Sequence, residues 1–215
     1  MAEQVNPAPR LDNQDPGLFG QTPSQTVGPF FHYGLPWKGC ADLIGDSDIG
    51  ARPELFPTEH YVLAAPSAKG EVVGEPIVIE GVVLDADGKP VPDAMIEIWQ
   101  ADADGRYADG SSNTGFIGWG RASTSEDGVY RFVTIRPGRV DDRQAPHIAV
   151  GVFGRGLIKR LATRIYFEDQ TADLDPILAL VPADRRHTLM ARKVGATWRF
   201  DIVLQGEGET VFFDI

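Results

Sequence analysis

From residue 77 onward, apolar and polar positions alternate along the chain. IVIEGVVLD (Ile77 to Asp85) and AMIEIWQA (Ala94 to Ala101) repeat with a period of two. So do VYRFVTIRP (Val129 to Pro137), HIAVGVFG (His147 to Gly154), LATRIYFED (Leu161 to Asp169) and WRFDIVLQ (Trp198 to Gln205). A period of two sends successive side chains to opposite faces, so each of these segments predicts a strand. Asp87-Gly88 supplies the positive φ of a tight hairpin turn between the first two, and Asp127-Gly128 and Gly154-Arg155-Gly156 punctuate the later ones. Only ADRRHTLMARK, residues 183–193, suggests a helix, and a short one. Six or more short strands without a βαβ rhythm predict an all-β fold, a β-sandwich of mainly antiparallel strands with long loops.

The N-terminal third lacks this periodicity. Residues 1–20 are polar and proline-rich and predict an extended arm, leaving 21–215 as a single domain. TPSQTVGPFF, Thr22 to Phe31, predicts an ordered, non-helical segment lying on a surface. Residues 34–60 read as loop.

Composition narrows the function class. Hydrophobic residues make up 42% of the 215, enough for a sizeable core. A net charge of -11 argues against nucleic acid and anionic membrane as partners, which such a field repels. The polar N-terminus shows no secretory h-region, and no apolar run is long enough to span a membrane. Cys40, the single cysteine, allows no internal disulfide and no cysteine-rich metal site, which together point to the cytoplasm.

Candidate chemistry is sparse. Asp102, Asp104 and Gly105 open like a calcium loop but lack the closing glutamate, so they predict a turn. Gly206 and Gly208 sit among glutamates that would repel phosphate, and Cys40 has no histidine nearby in sequence. His32, His60 and His187 are scattered without ligand spacing. His147 heads a strand and shares a face with Ala149, Gly151 and Phe153, while Ile148, Val150 and Val152 turn to the core. Taken alone, it reads as a hydrogen-bonded structural histidine. Tyr107 and Tyr130 are possible oxygen ligands, although buried tyrosines are more often core.

Several blocks, in collinear order, carry a resemblance. They are TPSQTVGPF, GVVLDADGKPVPDAMIEIWQADADGRY, DGVYRFVTIRPG, APHIAVGVFGRG, TRIYFED and WRFDIVLQGEGETVFFDI. Together they resemble the intradiol ring-cleaving dioxygenases. The resemblance implies a mononuclear non-haem Fe(III) held by G-R-Y, P-G-x-Y and H-x-H. On this sequence the ligand positions fall on Tyr107, Val140, His147 and Ala149, and the arginine that precedes H-x-H falls near Gln144. Valine and alanine offer iron no donor, so the chain itself is expected to hold no metal and no catalytic residue, with Tyr107 and His147 as vestiges. It then matches the non-catalytic, alpha-type chain of a two-chain enzyme. The resemblance implies a homologous beta chain that carries the Fe(III), a larger oligomer of such pairs, and cleavage of 3,4-dihydroxybenzoate by O2 between its hydroxyl-bearing carbons to 3-carboxy-cis,cis-muconate. It also implies that Thr26, Gly28, Pro29, Phe30 and Arg155 line part of the partner's active site. Two alternatives compete: a carboxypeptidase-regulatory-like binding module without catalysis, and a self-sufficient enzyme using Asp141 or Asp142 as substitute donors.

Overall fold

The computed structural model describes residues 24–28, 31, 40–45, 47, 49, 72–108, 116–170 and 175–214. The arm at 1–20, His32, His60, Pro29 and Phe30 lie outside them. The strands are β1 (Pro76–Leu84), β2 (Met95–Gln100), β3 (Trp119–Ser123), β4 (Val129–Ile135), β5 (Ile148–Phe153), β6 (Leu161–Phe167), β7 (Met190–Val194), β8 (Thr197–Arg199) and β9 (Ile202–Val203). One helical turn, α1 (Pro176–Ala179), follows β6. The fold is all-β, as the alternation predicts.

The strands pair along one path in the order β3-β2-β5-β6-β7-β8-β1-β4, with β9 beside β1. The path is curled, because a single segment meets both of its ends. Arg121 of β3 donates its N–H to the Cys40 carbonyl (3.0 Å), and Val133 of β4 donates to the Ala41 carbonyl (2.8 Å). Leu43 returns a hydrogen bond to Val133 (2.8 Å), so residues 40–43 cover edges that would otherwise stay unpaired. The inward faces of β1, β2, β4, β5, β6 and β8 share one core, with Ile79, Ile98, Phe132, Ile148, Ile165 and Trp198 nearly devoid of exposure. Each such side chain contributes about 1.5–3 kcal/mol by leaving water. One polar group crosses this core. Gln100 donates to the Ile135 carbonyl (2.8 Å) and accepts from the Thr134 hydroxyl (2.8 Å), tying β2 to β4.

Three local expectations are corrected. Gly88 has φ +73°, and Asp85 accepts from the N–H groups of Asp87 and Lys89 at 2.9 Å, so the predicted turn forms. It does not join β1 to β2 as a hairpin, however: β1 pairs with β4, β8 and β9, whereas β2 pairs with β3 and β5. Residues 183–193 do not form one helix. A 3-10 turn at Arg186–Leu189 gives way to β7, whose backbone groups find partners in β6 and β8. The strand expected over Trp198–Gln205 breaks at Phe200-Asp201, where Asp201 uses its carboxylate to accept the Val82 N–H (2.9 Å) in place of a backbone carbonyl.

Candidate functional site

Two loops meet at the end of β2. In the first, buried Asp102 accepts from the N–H groups of Asp104 (2.9 Å) and Arg106 (2.8 Å), which makes the Asp102–Gly105 segment a self-satisfied turn. The second loop enters over it. Gly138 donates its N–H to the Asp102 carbonyl (2.8 Å). A Cβ at Gly105 (φ +81°) would lie 1.7 Å from the Arg139 carbonyl oxygen, and one at Gly138 would lie 2.2 Å from that of Ala103. Glycine at both positions is therefore what lets the two backbones touch. The interlock sets Val140 beside the turn that carries Tyr107. The half-buried Tyr107 packs edge-on against Trp99, with ring centroids 5.9 Å apart at 80°. Burial pushes its phenol above the ordinary range, so it stays protonated at neutral pH. Val140 presents only a partly exposed isopropyl group.

His147 is buried just ahead of β5, with Nδ1 2.9 Å from the Ala145 carbonyl. Nδ1–H donates in this contact, which leaves Nε2 as the free lone pair. Burial lowers the imidazole pKa despite that hydrogen bond, so the ring is neutral. The face alternation expected from sequence holds: Ile148, Val150 and Val152 are in the core, and Ala149 points outward. Strand register places Ala149 in a row Trp119–Trp99–Ala149–Arg164 across β3, β2, β5 and β6. In front of this row lies a cavity of about 330 Å³ lined by Glu97, Trp99, Tyr107, Trp119, Ala149 and Arg160. Arg121 holds the Glu97 carboxylate through Nε (3.0 Å) and a terminal nitrogen (2.8 Å).

These residues do not fit Fe(III). A hard trivalent cation favours several anionic oxygen donors, whereas only one phenol oxygen and one imidazole nitrogen remain at the four positions. The two intervening positions carry no donor atom. Asp141, one of the two substitute donors of the self-sufficient alternative, accepts from the N–H groups of Arg143 (2.8 Å) and Gln144 (2.7 Å) and from the Gln144 side chain (3.1 Å). Among the described residues no group of three or more His, Cys, Asp or Glu side chains gathers for a metal. Tyr130 is core: its hydroxyl donates to the Phe200 carbonyl (2.5 Å). Burial raises the Cys40 thiol, which keeps it from being a ready nucleophile.

Thr26 and Arg155 come together elsewhere. They lie beyond the Phe153 end of β5, about 17 Å along the strand from the Ile148 end. The Gly156 N–H donates to the Thr26 hydroxyl (2.7 Å), which in turn lies 3.4 Å from the Gly154 carbonyl. The 24–28 segment is thereby fastened to the Gly154-Arg155-Gly156 loop. The Arg155 guanidinium reaches Asp93 at 3.1 Å, yet its side chain remains 59% exposed. A Cβ at Gly28 would meet nothing within 4 Å among the described residues.

Sequence reasoning passed over Trp99, Trp119, Arg160 and Arg164. Trp99, an outward-facing aromatic in IEIWQ, was the available signal, and it is 52% exposed. Trp119 and Arg164 became site residues only through strand pairing, and Arg160, just ahead of β6, through its place at the cavity.

The chain is similar to known proteins along most of its length. The family described as "Dioxygenase" matches residues 56–206. The protocatechuate 3,4-dioxygenase alpha chain of Burkholderia cepacia is 43% identical over 207 residues, covering 91% of this chain and 98% of its own length. The beta chain from the same organism is 36% identical over 191 residues, covering 79% of each. Among solved structures, the dioxygenase domain of a carbohydrate-binding fusion protein from Streptomyces sp. SirexAA-E superimposes with a TM-score of 0.51 at 25% identity, covering 86% of this chain and 98% of that domain. From its sequence blocks, its all-β fold and these matches, the chain belongs to the intradiol dioxygenase family.

Proposed function

We propose that this chain is the alpha, non-iron-binding subunit of a protocatechuate 3,4-dioxygenase. The observation that carries the reading is the lack of a donor side chain at Val140, in a loop locked by Gly105 and Gly138 to the Tyr107 turn, and at Ala149, on β5. Similarity to both an alpha and a beta chain supports a pair of homologous subunits. In this reading the beta partner holds Fe(III), which supplies Lewis-acid activation of the catechol when bound. This chain supplies a wall. Thr26 fastens the 24–28 segment, Gly28 leaves room for a flat ring, and Pro29 and Phe30 continue the same stretch. Arg155 offers its planar fork to the substrate carboxylate. The pairs assemble into a larger oligomer, and the complex works in the cytoplasm. The curled sheet is read as a sandwich whose halves, β3-β2-β5-β6 and β7-β8-β1-β4, face each other over the core. Among the described residues no helix is long and apolar enough to cross a membrane, which is consistent with that setting.

Coexpression with a homologous beta chain tests the proposal. The complex should consume O2 with 3,4-dihydroxybenzoate and form 3-carboxy-cis,cis-muconate, while this chain alone should do neither. A stoichiometric, coloured iron complex of this chain alone would overturn it.

A further inference from the structure

Arg164 stands directly opposite Ala149 on the neighbouring strand, and Ala149 is where the resemblance to the family's H-x-H pattern puts the second histidine. Paired positions across antiparallel strands bring Cβ atoms within roughly 4.5–5.5 Å, so a guanidinium at 164 shares its space with whatever occupies 149. One terminal nitrogen of Arg164 lies 3.4 Å from the Gln144 side-chain oxygen and 3.4 Å from the Tyr166 hydroxyl. Both distances are at the outer limit of a hydrogen bond, and both partners are neutral. Arg164 forms no ion pair with any acidic group among the described residues. Its charge also reaches the Tyr107 phenol and the His147 imidazole, where it favours the phenolate and opposes the imidazolium.

We infer that Arg164 takes over the metal's electrostatic role in this chain: a permanent side-chain cation on the face shared by Tyr107, His147 and Ala149 excludes a metal ion from it. Arginine does not deprotonate in proteins, so this exclusion cannot be titrated away. Arg160 adds a second guanidinium at the rim of the cavity, lying over Gly151, where a Cβ would come within 2.4 Å of its Nε. Glu97, the acidic group of the lining, is committed to Arg121. The lost donors and the gained cation are then two separate barriers, and a trivalent ion meets the second with three times the repulsion felt by a monovalent one. The inference rests on the reading that this chain binds no iron, and the unmodified chain's iron content tests that reading separately.

The experiment restores the donors with and without the cation. Full-length Val140→Tyr/Ala149→His is compared with Val140→Tyr/Ala149→His/Arg164→Gln after identical exposure to iron. Iron per chain and the tyrosinate-to-Fe(III) visible band are the readouts. The double variant should hold no more iron than the unmodified chain, and the triple variant should approach one iron per chain and show the band. Stoichiometric iron in the double variant would overturn the inference, and so would a triple variant that gains none over the double. Ala149→His with and without Arg164→Gln leaves the 138–144 loop untouched and makes the same comparison with Co(II) should the larger sets fail to fold. There, at least a tenfold tighter Co(II) affinity is expected on removing Arg164, and equal affinities would refute its role.

Discussion

The backbone at Gly105 lies so close to Arg139 that a Cβ there would sit 1.7 Å from the Arg139 carbonyl oxygen. This contact, with its counterpart between Gly138 and Ala103, holds the loop that carries Tyr107 against the loop that carries Val140. Gly105→Ala should therefore cost about 2–4 kcal/mol, from overpacking plus a strained φ. Gly138→Ala should fall in the same range. Urea midpoints check both, and a loss below about 0.5 kcal/mol would mean that the loops separate freely.

Gln100 is the polar rivet between β2 and β4. Gln100→Leu keeps the bulk but strands the Ile135 carbonyl and the Thr134 hydroxyl in the core. A loss of about 2–4 kcal/mol is expected. Thr134→Val added to it should cost less than it does alone, because the hydroxyl has already lost its partner. A double-mutant cycle by chemical denaturation measures this coupling, and strict additivity would count against it.

His147 sets a pH dependence. Its folded-state pKa is depressed, chiefly by burial, below the ordinary value of about 6.5. Between those two values the unfolded chain binds the extra proton, so stability is full above about pH 6.5 and falls as the pH drops below it. His147→Gln should flatten the stability profile between about pH 7 and 5, relative to the unmodified chain. Parallel profiles would show that the ring is solvated.

Arg155 separates folding from function. Its ion pair with Asp93 is more than half exposed, so Arg155→Ala should change stability by under about 1 kcal/mol. In the assembled complex the same variant should raise KM for 3,4-dihydroxybenzoate by about 10- to 100-fold, the loss of a charge-assisted hydrogen bond to a carboxylate. Unchanged kinetics would remove Arg155 from the wall. Thr26→Ala, which unfastens the neighbouring segment, should show a smaller rise.

Much of this was legible in order along the chain. The β1, β2, β4, β5 and β6 strands follow the period-two runs closely, because burial of one face is a local property of the pattern. The turns at Gly88, Gly105 and Gly128 follow from residues that tolerate positive φ. Where the reading failed, the competing force was non-local. Met190–Val194 carries a helix-compatible sequence but extends, because β6 and β8 offer hydrogen-bond partners on both sides. WRFDIVLQ has strand periodicity throughout, but the Asp201 side chain replaces a backbone acceptor and breaks the ladder.

The amino-acid sequence by itself determined the missing donors at Val140 and Ala149, since a side chain without a lone pair cannot ligate in any fold. It also determined the alternation that buries Ile148, Val150 and Val152 and turns Ala149 outward. Only the tertiary structure decided what Ala149 faces. Register between β5 and β6 depends on how the loop between Phe153 and Leu161 brings the two strands back together, and a slip of one position would send Arg164 to the opposite face. The same is true of Thr26 and the Arg155 loop, joined by hydrogen bonds to Gly154 and Gly156 across 128 and 130 positions. Local pattern sets which face a residue takes. Pairing across the sheet sets its neighbours, and in this chain it brings the Arg164 cation opposite Ala149.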